Sequence, residues 1–400
     1  AEALQEQGRW EESRQVVSAV EMFGGSETRR RLTLEVNAMA FQLRDKTSAE
    51  TQLRDIKRHL EHDSDSSNSI ELIRCGGKAA YFLNDSVAAE WLYQKAAKFA
   101  NRAILLRDEL ILTKTLGLLA WIGGKSEKFA ILVDHAVVLL GRASAEGLKT
   151  QSVAQLTEMK ACLEVSLGRF SAAVESMNHA HAFHLQHLDE AMEALTAGNL
   201  SLAHYRLGNY GLARDWAITA TLNGVTPETD WATLYSSLRL AKAQAMLSEA
   251  SKAIGTAEDC SRNCLVESPW APQSVGLLVA DIYELCGEKR LALITASKAL
   301  CDSEWKLRTR AFAGTFARWI AKVGAERGEW RGARDAFKPL LRDLSSHDLV
   351  DQAEILGAWG WFGRRSGLGG PDDHASLNLT LARLPMATGL QLHRLGFPPD

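Results

Sequence analysis

Along almost the whole chain, packing-type residues recur at three- and four-residue spacing, as in Leu200, His204 and Leu207. That is the period of an amphipathic α-helix. No segment alternates apolar and polar residues as a half-buried strand does. The helical runs are broken by a turn motif that keeps returning. It reads Gln7-Gly8-Arg9-Trp10, Leu43-Arg44-Asp45, Leu83-Asn84-Asp85, Gly123-Gly124-Lys125, Leu167-Gly168-Arg169-Phe170 and Leu207-Gly208-Asn209-Tyr210. It continues as Leu247-Ser248-Glu249, Cys286-Gly287-Glu288, Arg327-Gly328-Glu329-Trp330 and Ser366-Gly367. With anchors at 8, 44, 84, 124, 168, 208, 248, 287, 328 and 367, the intervals are 36, 40, 40, 44, 40, 40, 39, 41 and 39 residues.

Fixed offsets from the anchors carry small residues. Seven before stand Gly77, Gly117, Ala161, Ser201, Ala241, Ala280, Ala321 and Gly360. Five after stand Ala49, Ala89, Ala173, Ala213, Ala253, Ala292 and Ala333, with Phe129 the exception. Twelve after stand Ala96, Ala136, Ala180, Ala220, Cys260 and Ala299, with Leu340 larger. Two antiparallel helices joined by a tight turn cross closely, and only small side chains fit at the crossing. Glycine at the anchor suits the left-handed residue that ends many helices.

This Gly-x-aromatic turn, with Ala at +5 and +12 and a small residue at −7, resembles the tetratricopeptide-repeat pattern. Gly208, Tyr210, Ala213 and Ala220 match it best, and Gly168, Phe170, Ala173 and Ala180 match nearly as well. The resemblance implies an all-α fold, a right-handed α-solenoid of about ten antiparallel helix pairs. The array would span 1–383, leaving 384–400 as a C-terminal cap or linker. The family's usual unit is shorter than the ~40 residues seen here, a difference of about one and a half helical turns. The longer unit resembles the sensor solenoids of bacterial signal-transducing NTPases and large transcriptional activators.

What the resemblance implies about function is a ligand- or protein-binding repeat domain, the sensor or partner-recognition part of a larger regulatory protein. The alternatives are a stand-alone scaffold for complex assembly and a metal-dependent enzyme subunit. In the family, contacts come from the first helix of each pair at offsets −13, −10, −6, −3 and −2. Carried onto this chain, they give Arg74, Lys78, Tyr81, Lys114, Leu118, Trp121, Glu158, Tyr205, Arg206, Tyr235, Lys242, Asp281, Glu284, Arg318, Lys322, Trp361 and Arg364. Basic and aromatic members dominate. Arginine clamps carboxylates, and tyrosine or tryptophan adds apolar area with a polar tip. The expected partner is therefore a protein or peptide segment, acidic or carboxylate-bearing, or a small polyhydroxylated ligand. Asp281 and Glu284 break the uniformity of charge.

Composition narrows this further. A net charge of −3 over 400 residues gives no nucleic-acid or membrane footprint. No run of 18 apolar residues is present. Cys75, Cys162, Cys260, Cys264, Cys286 and Cys301 show no CxxC pairing, which suits a reducing, cytoplasmic setting and small buried thiols. No cofactor is expected. Ala1 opens directly in a helical stretch, as expected of a piece of a longer protein.

Two motifs invite chemistry. Gly123-Gly124-Lys125-Ser126 lacks the upstream glycine of a phosphate loop, since that position is Leu119. It reads as a repeat turn. His179, His181, His184, His187 and His204 form a cluster, with His184, His187 and Glu190 three apart. That spacing could hold a metal on one continuous helix. It falls, however, where one helix should end and the next begin, so no metal site and no catalytic residues are expected. Trp10, Trp216, Trp319 and Trp330 read as packing residues. His62–Ser69 and Ala143–Ser152 read as longer inter-repeat loops, and Pro269 and Pro272 precede or open a helix.

Overall fold

The structure, a computed structural model, describes residues 126–147, 151–187, 190–223, 230–262, 271–306 and 312–367, with single positions between 50 and 120 and between 377 and 388. The helices are α1 (Ser126–Ala145), α2 (Gln151–Ser166), α3 (Phe170–Gln186), α4 (Glu190–Arg206), α5 (Tyr210–Asn223) and α6 (Asp230–Met246). They continue as α7 (Ala250–Arg262), α8 (Ala271–Leu285), α9 (Lys289–Asp302), α10 (Ala313–Arg327), α11 (Trp330–Arg342) and α12 (Leu349–Ser366). A short 3-10 turn at Leu344–Ser346 precedes α12. No strand occurs among the described residues. The chain is an all-α helical-repeat solenoid, and its described part holds five complete pairs between α1 and α12.

The chain packs as two units, residues 1–159 with 182–189, and residues 160–181 with 190–400. In the first unit, α1 buries Phe129, Val133, Ala136, Leu139 and Ala143 along one face and leaves Ile131, Val137 and Val138 in water. The anchors at 8, 44, 84 and 124, the loop at 62–69, the Gly123–Lys125 turn, Cys75, Cys264 and Trp10 lie outside the described residues.

In the second unit the anchor turns follow from backbone sterics. Gly168, Gly208, Gly287, Gly328 and Gly367 all take left-handed φ values, and Ser248 does so at +64° without being glycine. In five of these turns the left-handed residue lets the next amide reach back five residues to a helix carbonyl: Arg169 to Glu164, Asn209 to His204, Glu249 to Gln244, Glu288 to Tyr283 and Glu329 to Gly324, at 2.8–2.9 Å. Orphan carbonyls at the helix end are thereby satisfied. The carbonyl just past the anchor then opens the second helix, accepting from the +5 alanine in all five turns.

The small-residue columns sit where the helices cross. Ala161, Ser201, Ala241, Ala280 and Ala321 are fully buried, as are Ala173, Ala213, Ala253 and Ala333. The Ser201 hydroxyl donates to the Ala213 carbonyl at 2.7 Å, joining the two columns directly. A Cβ on Gly324 would stand 2.6 Å from that of Ala333, and one on Gly276 2.8 Å from that of Ala299. Gly360 differs, since a Cβ there would meet nothing within 4 Å. The main core runs from α6 to α12 around Trp319, Phe316, Phe337 and Phe362.

Leu384 is buried against Phe170, Leu349, Val350 and Ala353. The Thr388 hydroxyl donates to the Arg206 carbonyl at 2.8 Å.

Candidate functional site

The first helices α4, α6, α8, α10 and α12 carry ten of the residues named by offset from the anchors, and five of these meet. Asp281 of α8 is the hub. Its carboxylate lies 2.7 Å from Lys242 Nζ of α6 and 2.7 Å from Arg318 Nη1 of α10. It also accepts from Trp319 Nε1 at 2.8 Å. Arg318 reaches Glu354 of α12 at 3.9 Å and Glu284 at 3.9 Å. Lys322, one turn beyond Arg318, donates to both oxygens of Glu284 at 2.6 and 2.7 Å. Three cations thus face three carboxylates across four successive first helices.

The row is dry at its centre. The side chains of Asp281 and Arg318 are both 0% exposed. Arg318 Nη1 and Nη2 meet these carboxylates as ion pairs. Burial alone would push the Asp281 carboxyl up, but Arg318 and Lys242 overcome it and hold it well below the ordinary range. Burial likewise works against the Arg318 cation, while Asp281 and Glu354 raise its affinity for the proton. Lys322 goes the other way, lowered by burial and by Arg318 against the pull of Glu284.

Aromatic members are part of the same packing. Tyr235 is buried and shares a 2.8 Å hydrogen bond with Ser274 of α8. Its ring stacks on Phe312 at 5.1 Å. Tyr205 is buried beside Tyr210. Burial pushes its hydroxyl up, out of reach of neutral pH. Arg239 donates to the Gly198 carbonyl at 2.6 Å, and burial lowers it to about 10.

A second cluster lies at the start of α12. Asp348 caps the helix, its Oδ1 accepting from the Asp351 amide at 2.8 Å. Asp351 in turn accepts from the Gly314 amide at 3.1 Å. Burial, then Asp348 and Glu354, raise Asp351 well above an ordinary carboxyl. Burial also raises Asp348, against the pull of the Asp351 amide and Arg206.

Of the residues named from sequence, the structure brings together Lys242, Asp281, Glu284, Arg318 and Lys322. Arg206 is half-buried at the end of α4, and Trp361 is half-buried with the Arg365 guanidinium 4.8 Å from its ring centre. Arg364 is exposed. Glu158 lies in the first unit, buried and 3.8 Å from His184. Arg74, Lys78, Tyr81, Lys114, Leu118 and Trp121 lie outside the described residues. Glu354 stands at offset −13 from the last anchor, so the same rule applied there would have found it. Trp319 at −9 and Asp351 at −16 carry no such signal.

The histidines do not converge. His184 is buried, His181 packs edge-on against Trp216 at 4.9 Å, and His187 stacks on Phe183 at 4.0 Å. His204 is buried on its helix, and burial lowers its pKa. Among the described residues no three metal-ligating side chains form a group. Cys260 is buried, Cys162 and Cys286 are half-buried and Cys301 is exposed. No described helix is long and apolar enough to cross a membrane.

No family model and no curated protein matches the sequence. Solved structures do share its fold. A Rap protein complexed with competence and sporulation factor superposes with a TM-score of 0.58 at 10% identity, over 98% of this chain and 99% of that one. The apo quorum sensor NprR from B. thuringiensis gives 0.59 at 12% identity, over 91% and 99%. A Rap conjugation gene regulator in complex with the Phr* peptide gives 0.50 at 11%, over 87% and 96%.

Proposed function

We propose that this tetratricopeptide-like chain is a regulatory receptor for a short peptide or an extended protein segment, held along the row of first helices, and not an enzyme. The observation that carries this reading is the row itself. It is a line of paired, fixed charges contributed by the successive first helices α6, α8, α10 and α12. An extended peptide presents a backbone carbonyl or amide at every residue, so a periodic array of rigid donors and acceptors suits it better than a compact ligand. Two of the proteins that share this fold are seen with a bound factor or peptide, which supports the same reading.

Contacts would come from the members that keep an edge in water: Arg206, Lys242, Lys322, Trp361 and Arg364. Arg318 and Asp281 would act as the frame that holds them. The positive charge of Lys242, Arg318 and Lys322 is already balanced by Asp281, Glu284 and Glu354. A cytoplasmic sensor in a larger regulatory protein is the setting we favour.

Panning a randomised short-peptide display library on the purified chain tests the reading. It predicts enriched sequences that bind one to one by calorimetry, with affinity reduced at least tenfold by Lys322→Glu. Enrichment no better than on bare beads would set it aside.

A further inference from the structure

Tyr235, Arg239 and Lys242 fall at i, i+4 and i+7 of α6, so Arg239 leaves the helix on the stripe that carries the row. Its side chain crosses to α4, where Nη1 donates to the Gly198 carbonyl at 2.6 Å. The crossing depends on glycine. A Cβ on Gly198 would stand 3.1 Å from that nitrogen and 2.7 Å from Ser236 Oγ. The other two nitrogens, Nε and Nη2, donate to no protein group among the described residues. Arg239 is half-buried and keeps an edge in water.

Its charge balance sets it apart from its neighbours. Lys242, Arg318 and Lys322 each face a carboxylate at 2.7 Å or less. Among the described residues no carboxylate pairs with Arg239. The groups that act on its charge are Cys162, Tyr235 and Arg206, and the last is a second cation. A charge taken out of water is ordinarily paired, because its lost hydration otherwise goes uncompensated. The Nε–Nη2 edge left over is the fork with which a guanidinium holds both oxygens of a carboxylate.

We propose that Arg239 receives an Asp or Glu side chain of the bound segment, which closes its Nε–Nη2 fork. This rests on the receptor reading above and adds the chemistry of one ligand position. One unpaired positive charge calls for one negative charge, which a carboxylate supplies and a phosphate dianion exceeds. In the row α6 stands between α4 and α8, so an extended segment passes over Arg239 and presents a side chain there, not a chain end. The paired cations Lys242, Arg318 and Lys322 carry no such demand.

Two readouts separate this site from the receptor reading. In the first, the randomised peptide library is panned in parallel on the wild-type chain and on Arg239→Met. The wild-type pool should be at least threefold richer in Asp or Glu at one position. Replacing that acid by its amide in a selected peptide should cost the wild-type chain at least tenfold in affinity and the variant less than twofold. Selected peptides that bind both chains equally, with no acidic position, overturn the proposal and leave the receptor reading standing. The second readout uses the wild-type chain alone and needs neither a selected peptide nor a folded variant. The Arg239 Nε–H resonance is followed by NMR while N-acetylglutamate amide, a single side-chain carboxylate, is added, with inorganic phosphate at matched ionic strength as the other arm. A saturable shift with the carboxylate is expected, and it would uphold the site even if panning enriched nothing. No shift, or a shift with phosphate only, overturns the proposal.

Discussion

Arg318 and Asp281, on neighbouring first helices, meet at 2.7 Å with neither side chain touching solvent. Removing one partner of such a pair strands a buried charge, which costs about 3–5 kcal/mol. Arg318→Met should therefore lower unfolding free energy by about that amount, and Asp281→Asn by a similar amount. The double variant should lose less than the sum, because the two residues share one interaction. Chemical denaturation of the four proteins checks this, and strict additivity would show that the pair is not coupled.

The glycines of the first helices separate into two kinds. Gly324→Ala drives a methyl to 2.6 Å from Ala333 Cβ, and overpacking of this kind costs about 1–3 kcal/mol. Gly360→Ala enters open space in a helix interior and should stabilise by about 0.5–1 kcal/mol. Melting curves should move in opposite directions for the two variants.

Ser248 occupies a left-handed position that glycine fills at the neighbouring anchors. A non-glycine residue there costs about 1–2 kcal/mol. Ser248→Gly should recover about 1 kcal/mol, whereas Gly208→Ala should lose a comparable amount. A Ser248→Gly protein less stable than wild type in urea would mean that the serine side chain contributes more than its backbone costs.

Asp281 and Asp351 titrate on opposite sides of the ordinary carboxyl value of 3.8. The depressed Asp281 stabilises the fold above that value, and the stabilisation is lost as pH falls below about 4. Asp351 is raised, so its protonated form is the one the fold favours. Its contribution is complete below about pH 4 and is lost as pH rises through its folded pKa. Asp351→Asn keeps the acceptor for the Gly314 amide and removes the charge beside Asp348 and Glu354. It should raise Tm at pH 7.5 and leave it unchanged near pH 4. An equal shift at both values would place the cause in packing.

The fold was legible because its determinants are local and repeated. An anchor glycine, an alanine at +5 and a small residue at −7 each answer one steric demand, and the demand recurs every forty residues or so. The site was legible only as a row of positions. Sequence offsets found Lys242, Asp281, Arg318 and Lys322, and their alternating sign was visible, yet which carboxylate would meet which cation depends on how adjacent repeats rotate. Trp319 and Asp351 escaped because they stand between the offsets. The return of Leu384 to Phe170 joins residues more than two hundred positions apart, and no local pattern marks it.

The most direct measurement is a hydrogen-exchange footprint of a library-selected peptide on the full chain. The receptor reading predicts slowed exchange along the first helices α4, α6, α8, α10 and α12, with α5, α7, α9 and α11 unchanged. Protection confined to those second helices, or no protection at a saturating peptide concentration, would contradict it.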